Sequence, residues 1–415
     1  MIRHFGLHIL RRLMICAIAF TSFSTAVFAK NQPGEKPAAG AVNPLFVDPA
    51  SRDFSENPGL LKRILSGPHG YFRFINIPFS EEICRRFSEI ITTAPTLNLH
   101  GDAHIEQYAV TDLGRGLTDY DDSSTGPGVI DLLRFGVSVH LTCRKNGWAD
   151  SSTILLDRFF AGYRAALKYP KMRVDAGAWV KRARATFKND RASYFKWIDT
   201  MMEPMPDDDK NALIAAIQPY IDTKIAEDST LSPDYFRIVQ TGDLQMGIGS
   251  ALDEKFLVRI RGKSADPLDD VVLEFKEVRD LSGIDCINSG QELDPFRILL
   301  GQTRIAYQPF AHLGYFRFHD KIFWVHSWVD NYKEVKIGKS FQSPGELAEV
   351  VYDVGVQLGK GHVKQIASPL DLQLRREQLQ FLKKNEAALK TACRELTEET
   401  VAAWQMFHDS ARQGE

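Results

Sequence analysis

The chain has 415 residues, of which 44% are hydrophobic and 25% are charged. Lys and Arg total 51 against 53 Asp and Glu, a formal charge of −2 that excludes the basic footprint of a general nucleic-acid or anionic-membrane binder. The 19 prolines and 29 glycines are spread along the chain, which excludes a fibrous or wholly disordered protein.

Residues 1–29 have the pattern of a secretory signal peptide. Arg3, Arg11 and Arg12 precede an uncharged apolar run that ends at Ala29, with small residues at the positions that signal peptidase reads. The segment predicts an exported protein, periplasmic or secreted, that is cleaved after Ala29. The alternative is an uncleaved anchor, which would be the chain's contact with a membrane.

Four cysteines follow the signal segment, and export decides how they are interpreted. An oxidising compartment permits up to two disulfides among them, in three pairings, whereas reduced and buried thiols are an equally open alternative. These residues are Cys84, Cys143, Cys286 and Cys393.

The periodicity of the apolar residues divides the rest of the chain into four parts. Residues 30–50 are rich in Pro, Gly, Ala and Lys and predict a flexible linker. Helical spacing predicts helices over 51–230 and again over 336–415, including one that begins at Pro344 and one from Leu370. Between them, 231–335 alternate with period two and predict a small antiparallel sheet. Its elements are one hairpin over 256–261 and 271–278, a helix over 292–307, and a second hairpin over 315–318 and 321–329.

The densest chemistry lies in two polar clusters, residues 98–107 and 117–122. Phosphoryl transfer needs one carboxylate that orients the attacking hydroxyl and another that holds Mg²⁺ against the phosphates. Asp102 suits the first role and Asp119 the second, with Asp121 as a further metal ligand. Gly101 allows a tight backbone turn beside them.

Two other interpretations of these clusters stay open. The first is a solvated acidic turn whose histidines pack locally. The second is a hydrolase that holds zinc, iron or manganese through imidazole and carboxylate ligands. Its ligands would be His100, Asp102, His104 and Asp119.

The motif His100-Gly101-Asp102-x-His104-x-x-Gln107 resembles the catalytic loop of aminoglycoside phosphotransferases and choline kinases, and Asp119 to Asp122 resembles their metal-binding segment. The resemblance implies that Asp102, with His100 beside it, is the catalytic base or hydroxyl-orienting residue. It implies Asp119 as a Mg²⁺ ligand and ATP or another nucleotide as phosphate donor. Gln107 stands where these kinases have an asparagine that gives the second metal contact.

A glycine-rich stretch and a lysine follow in the predicted sheet. Gly242, Gly247 and Gly249 would bring backbone N–H groups close to phosphates, although a plain hairpin turn explains them as well. Lys276 ends an apolar strand and resembles the kinase lysine that reaches the α- and β-phosphates; the alternative is a solvated strand end. Glu292 is its candidate ion-pair partner, in competition with Glu274 and Glu277.

Over residues 55–370 the chain also resembles the bacterial family called domain of unknown function 2252. In kinases the sheet precedes the catalytic loop, whereas here it follows. Residues 354–362 resemble the helix that normally runs directly into His-Gly-Asp. A circular permutation restores the expected order. The resemblance therefore implies a two-lobed α+β kinase-like fold with permuted chain order, one small sheet lobe and one larger helical lobe.

The predicted function is binding of a nucleotide or phosphate ligand with Mg²⁺ and phosphate transfer to a small-molecule hydroxyl or amine. The predicted partner is therefore a small molecule and not nucleic acid. Export argues against an ATP-dependent enzyme, and Gln107 departs from the kinase motif. A catalytically inactive binding protein and a metal-dependent hydrolase are the alternatives.

Overall fold

The structure of this protein is a computed structural model that describes residues 43–55, 57–244, 248, 253–290, 293–364 and 366–413. The signal segment 1–29 and the candidate residues Gly247, Gly249 and Glu292 lie outside the described residues. From Asn43 onward the chain forms one compact unit. Its described part is mixed α+β, about half helical, with several small antiparallel sheets.

Helices precede and follow the sheet-forming region, in the order that the apolar periodicity predicts. Proline and a side-chain cap start several of them: Pro344 begins α12, and the Ser343 hydroxyl before it accepts the Glu346 backbone N–H. In chain order the helices are α1 (Pro58–Leu65), α2 (Pro68–Phe74), α3 (Asn76–Arg86), α4 (Ser88–Ile91), α5 (Val129–Lys145), α6 (Ser152–Lys168), α7 (Ala178–Ala185), α8 (Arg191–Met201), α9 (Asp207–Ala216), α10 (Gln218–Glu227), α11 (Phe296–Ile305), α12 (Pro344–Gly361) and α13 (Leu370–Gln413).

The strands form three sheets, and every neighbouring pair is antiparallel. The two smaller sheets have the orders β1-β4 and β10-β2-β3, and the largest has the order β5-β6-β7-β9-β8. The strands are β1 (Thr96–Leu99), β2 (Tyr108–Thr111), β3 (Arg115–Leu117), β4 (Ser124–Pro127), β5 (Ile238–Asp243), β6 (Lys255–Ile260), β7 (Val271–Glu277), β8 (Gly314–Phe318), β9 (Lys321–Ser327) and β10 (Tyr332–Glu334).

The five-stranded sheet has two chemically different faces, because successive side chains of a strand point to opposite sides. One face is aromatic and aliphatic and packs against residues of α9 and α10 and the segment before β5. The other face, called here the polar face, carries Lys255 and Lys276, which are paired across β6 and β7, and Trp324 beside Lys276 on β9. The side chains of Lys255, Lys276 and Trp324 are all buried.

The central helices bury the largest apolar cluster of the molecule. α5 is buried along most of its length, α12 packs extensively on α6, and α13 lies along α5 and α6. Burial of apolar surface is the main driving force for folding, so these four helices form the stable frame on which the polar loops are held. No helix in the described part of the chain is long and apolar enough to cross a bilayer.

Both predicted hairpins are confirmed: β6 pairs with β7 and β8 pairs with β9. The helices predicted from Pro344 and Leu370 are confirmed as α12 and α13. The helix predicted over 292–307 is present over the shorter range Phe296–Ile305, α11. The strands β1 to β5 and β10 have no counterpart in the sequence prediction. Strands of three or four residues are too short for alternation to show, and β5 contains Gly242, which the sequence places in a glycine-rich turn.

One disulfide crosslinks the described chain, between Cys84 in α3 and Cys286 in the segment before α11. Cys143 and Cys393 are free and buried. Burial raises the pKa of the Cys143 thiol to about 12, so this side chain behaves as a small apolar group.

Candidate active site

The loop that follows β1 is fixed by the carboxylate of Asp131. The backbone N–H groups of His100 and Gly101 donate to its two oxygens, at 2.7 and 2.9 Å. Gly101 has a φ of +84°, and a Cβ on it would lie 1.8 Å from the backbone oxygen of Asp122. Only glycine fits this approach, which places the loop of Asp102 directly against the segment of Asp119 to Asp122.

A buried hydrogen-bonded chain continues behind Asp131. Its carboxylate contacts His362 Nε2 at 3.1 Å, and His362 Nδ1 lies 2.6 Å from the Tyr163 hydroxyl. Gln378 Nε2 donates to that hydroxyl at 3.1 Å. These side chains come from α5, the end of α12, α6 and α13, so four helices fix the position of one loop.

The end of α12 also lies directly beside the start of the Asp102 loop. The backbone N–H of Asn98 in β1 donates to the backbone oxygen of His362 at 3.0 Å, and its side-chain amide donates to Gly361 O at 2.8 Å. The end of α12 and the start of β1, which are distant in the chain, therefore lie next to each other.

Asp102 is buried and held in an ion pair. Arg134 Nε donates to Asp102 Oδ1 at 2.9 Å, and its Nη2 lies 2.7 Å from the same oxygen; His104 Nε2 is 3.5 Å from Oδ2. Burial opposes ionisation of this carboxyl, but Arg134 and His104 outweigh it and leave the pKa of Asp102 below its ordinary value. Asp102 is thus a fixed carboxylate, suited to accept a hydrogen bond and orient the donor.

Arg134 is a residue that the sequence interpretation missed. It is fully buried in α5, and its guanidinium lies 3.8 Å from the centre of the Phe72 ring. An arginine inside an otherwise apolar helical stretch is a detectable signal, because a buried arginine needs an anionic partner.

Asp119 has a strained backbone and two polar partners. Its φ is +62°, which is uncommon for a residue other than glycine and often marks a functional site. Lys276 Nζ donates to Asp119 Oδ1 at 2.7 Å, and Gln107 Nε2 donates to Oδ2 at 3.2 Å. Burial raises the pKa of Asp119, but Lys276, Asp121 and Gln107 together hold it well below its usual range.

Asp121 contacts the same lysine from the other side. Lys276 Nζ lies 2.5 Å from Asp121 Oδ2, and Trp324 Nε1 donates to Oδ1 at 2.9 Å. Burial and the neighbouring Asp119 carboxylate raise the pKa of Asp121, against the pull of Lys276. Asp119, whose pKa is lowered, and Asp121, whose pKa is raised, therefore share the ammonium group of Lys276.

Gln107 joins the two predicted catalytic positions. Its side-chain nitrogen donates to Asp102 Oδ2 at 3.4 Å and to Asp119 Oδ2 at 3.2 Å. The structure thus brings together Asp102, Gln107, Asp119, Asp121 and Lys276 in one continuous polar network.

A second lysine stands beside Lys276 on the polar face. Lys255 lies opposite it in the register of β6 and β7, and both side chains are buried. Burial and the adjacent Lys276 ammonium lower the pKa of Lys255 to about 8. In contrast, Asp119 and Asp121 raise the pKa of Lys276 in spite of its burial. The sequence interpretation did not single out Lys255.

Two arginines clamp the Asp119 to Asp122 segment to the rest of the molecule. Arg279 Nη1 contacts both carboxylate oxygens of Asp122 at 3.1 Å, and Arg297 of α11 donates to the backbone oxygens of Asp121 and Ser123. Neither arginine was predicted, because their partners lie far away in the chain. These contacts fix the position of the acidic segment relative to the five-stranded sheet.

A model of the family described as "Uncharacterized protein conserved in bacteria (DUF2252)" matches residues 55–194 and 178–410. The chain belongs to the DUF2252 family. No curated protein and no solved structure matches the chain. The matched ranges include every described residue of the polar network.

The remaining predicted site residues of this DUF2252 protein have other partners or lie outside the described residues. His100 is fully buried; its Nε2 contacts Thr118 O at 3.0 Å and its Nδ1 accepts the Asp102 backbone N–H, so both ring nitrogens are used within the loop. Gly242 lies in β5, where a Cβ would be 2.6 Å from the Cβ of Met202. Glu274 is engaged by His326 at 3.0 Å and by Trp328 Nε1 at 2.6 Å.

A metal ion bound in the polar network would meet carboxylate oxygen atoms. Among the described residues, no group of three or more His, Cys, Asp or Glu side chains is arranged to hold a metal ion. Mg²⁺ binds protein through one or two carboxylates and completes its shell with water and substrate phosphates. Asp119 and Asp121 fit that donor set.

Helix α8 covers the rest of the polar face. Its Phe195 lies under the guanidinium of Arg259, at 4.1 Å, and its Trp197 stacks on Trp328 with ring centres 5.6 Å apart. Ile198 packs in the same cluster as Leu257 of β6 and Val272 of β7. The apolar part of this sheet face is therefore occupied by the protein's own helix.

Proposed function

We propose that the polar network binds the phosphate groups of a ligand together with Mg²⁺ and positions one phosphoryl group for transfer to a small-molecule hydroxyl or amine. The single observation that carries this proposal is the position of Lys276, whose Nζ lies 2.7 Å from Asp119 and 2.5 Å from Asp121. A lysine from the five-stranded sheet and two carboxylates from the loop between β3 and β4 thus line one site, an arrangement that phosphoryl transfer can use.

The residues would divide the work according to their charges. Asp119 and Asp121 would hold Mg²⁺, which neutralises charge on the phosphates when it is bound. Lys276 is held protonated by these carboxylates and would contact phosphate oxygens. Asp102, whose partner Arg134 keeps it ionised, would accept a hydrogen bond from the attacking group and orient it.

The order of the elements supports a kinase-like, circularly permuted arrangement. Starting from β5, the chain supplies two strands, the strand with Lys276, helix α11, the hairpin of β8 and β9, the short strand β10, and then α12. In space, the end of α12 meets β1 at Asn98, which leads into the Asp102 loop. This is the order that the resemblance to small-molecule kinases implies once the chain is read cyclically.

A second candidate function is ligand binding without catalysis. Helix α8 favours it, because a nucleoside that extended from Lys276 along the polar face would meet Phe195 and Trp197. Gln107 favours it as well, since its amide lies one methylene further from the backbone than the kinase asparagine. The two candidates share the site and differ in whether phosphate is transferred.

The experiment is a titration of the purified protein with ATP and with pyrophosphate, each with and without Mg²⁺, while the melting temperature is followed. A ligand at 100 times its dissociation constant stabilises by about 2.7 kcal/mol, which is readily measured. We expect stabilisation that needs Mg²⁺. Lys276→Met should weaken binding at least about tenfold, because it removes a charged contact.

The matched control is Lys321→Met, on the same sheet but with a half-exposed ammonium that pairs with Glu254 and Glu277. It should leave binding unchanged. Asp102→Asn should retain binding and lower the rate of phosphate transfer by about 10² or more if the protein is an enzyme. Binding without measurable transfer establishes the second candidate, and no Mg²⁺-dependent stabilisation by either ligand refutes both.

We also propose that the protein is exported. The pattern of residues 1–29 supports this, and so does the Cys84–Cys286 disulfide, because disulfides persist in oxidising compartments. The mass of the protein recovered from its native cell tests the proposal: a chain that begins after Ala29 agrees with it, and an intact Met1 in a cytosolic fraction contradicts it.

A further inference from the structure

A polar cavity that is separate from the polar network lies where the end of α12 meets α11 and the start of α13. Its volume is about 310 Å³, at the lower end of the range for small-molecule sites. The cavity shares no lining residue with the polar network. It therefore requires an explanation of its own.

The charges around this cavity are strongly unbalanced. Four cationic side chains line it and one carboxylate, Asp371, faces them; the cations are Arg304, Lys360, Lys364 and Arg375. The carboxylate balances them poorly, since the shortest ion pair between Asp371 and Arg375 is 3.9 Å long. Such an excess of positive charge in a protein of net charge −2 is a local feature and not a property of the whole chain.

Several hydrogen-bond donors of these cations are buried and have no acceptor among the described residues. They are Arg304 Nε and two nitrogens of Arg375, Nε and Nη1. By contrast, all three guanidinium nitrogens of Arg86 in α3 donate to Glu82 or Glu399. A buried guanidinium donor without an acceptor costs free energy that a bound oxyanion would recover.

Within the described part of the chain, the hydrogen bonds of the two lysine side chains go to backbone oxygens. Lys360 Nζ donates to Met172 O, and Lys364 Nζ donates to Thr303 O at 2.9 Å. Each ammonium group has three N–H bonds, so both keep donors for a ligand. Burial lowers the pKa of both lysines, an effect that a bound anion would reverse.

We propose that this cavity is a binding site for a phosphate group, either inorganic phosphate or the phosphate of a small phosphomonoester. The planar fork of Arg375 suits two oxygens of one phosphate, and Lys360 and Lys364 supply the remaining positive charge. The site does not depend on the function of the polar network, with which it shares no residue.

The contacts of Arg304 connect this phosphate site to the Asp102 loop. Arg304 Nη1 donates to the side-chain oxygen of Asn98 at 2.8 Å. Asn98 lies in β1, two residues before His100 in the chain. An anion that engages the unpaired Nε of Arg304 would thus bind next to the strand that carries the loop.

The test is calorimetric titration of the purified full chain with inorganic phosphate and with glycerol 3-phosphate, at constant ionic strength set with sodium chloride. We expect saturable binding of at least one of the two. Arg375→Gln should weaken it by about tenfold or more, because it removes a charged bidentate contact. Lys364→Gln should weaken it in the same direction and serves if Arg375→Gln does not fold.

Two controls separate this site from its surroundings. Arg376→Gln alters the adjacent, exposed arginine of α13 and should change nothing. Lys276→Met should also leave phosphate binding at the cavity unchanged, which distinguishes this proposal from the proposed function. Binding of phosphate alone identifies the free anion, and stronger binding of glycerol 3-phosphate identifies a phosphomonoester. Absence of binding, or equal loss in Arg376→Gln, overturns the proposal.

Discussion

Individual acidic residues in this protein are held at very different proton affinities by their neighbours. Asp102 and Asp119 each face a buried cation and stay ionised, whereas Asp121, next to Asp119, has its pKa raised. Several carboxylates can be buried together in ionised form only if cationic side chains are buried beside them. Lys276 and Arg134 provide that charge, which explains why they are buried although each is long and polar.

The identities of these cations could be predicted only in part from the sequence. Lys276 was predicted because a strand of apolar residues ends on it, and its proximity to Asp119 followed from the family resemblance alone. Arg134 lies in an otherwise apolar helical stretch, which indicates a buried arginine, but it was not among the predicted site residues. Arg279 and Arg297 had no signal, since their carboxylate and backbone partners lie far away in the chain.

Glu274 makes acid stability a measurable property of the polar face. Burial raises its pKa, but His326 and Lys276 outweigh this and lower it to about 2, against an ordinary value of 4.5. A carboxyl with a lowered folded-state pKa stabilises the fold above its unfolded pKa, and that contribution is lost as the pH falls from 4.5 towards 2. It amounts to about 3 kcal/mol.

We therefore expect the free energy of unfolding of Glu274→Gln to fall less steeply with acidification between pH 4.5 and pH 2 than that of the unaltered protein. Urea denaturation at a series of pH values measures this. Glu254→Gln is the control, because this carboxylate is half exposed and its ion pair in the described part of the chain is with Lys321. Identical pH dependence in all three proteins would show that Glu274 is not held ionised.

At the scale of elements, local pattern predicted the hairpins and the long helices but not the short pieces around the site. β10 pairs with β2, from which it is separated by more than half of the chain. A three-residue strand of this kind is defined by its partner and not by its own sequence. For α8, the helical character was predicted from the sequence, whereas its position on the sheet was not.

The position of α8 leads to a prediction about nucleotide binding. If this helix must move before a nucleoside can enter, the apparent affinity is reduced by the fraction of molecules in which the helix has moved. Trp197→Ala removes the stack on Trp328, worth about 0.5–1.5 kcal/mol. We expect it to tighten ATP binding by about two- to tenfold in a calorimetric titration with Mg²⁺.

Tyr315→Ala is the matched control for this change. It removes another half-exposed aromatic pair of the same sheet, with Phe296, at a distance of 5.0 Å between ring centres. ATP affinity should be unaffected by it. Unchanged affinity in Trp197→Ala would mean that α8 is a permanent wall of the site, which would support a ligand other than a nucleotide.

At the scale of the whole molecule, the Cys84–Cys286 disulfide closes the longest covalent loop in the described chain, with a sequence separation of 202 residues. It joins α3 to the segment that connects the sheet to α11. Removing a native disulfide costs about 2–5 kcal/mol, because the unfolded chain regains the freedom of the loop. We expect the double variant Cys84→Ser, Cys286→Ser to lose stability of this order in urea denaturation.

Reducing agent supplies the control for the disulfide prediction. It should lower the stability of the unaltered protein to that of the double variant and leave the variant itself unchanged, because Cys143 and Cys393 are already free. An unaltered protein that is insensitive to reduction while fully reduced would show that the crosslink contributes nothing to the fold.

The side chains behind Asp131 couple the Asp102 loop to segments that are made much later during synthesis. The loop and its supports His362 and Gln378 are far apart in the chain. The loop can therefore be fully supported only after α12 and the part of α13 that contains Gln378 have been made. If the protein is exported, as we propose, these supports form only after both segments have crossed the membrane.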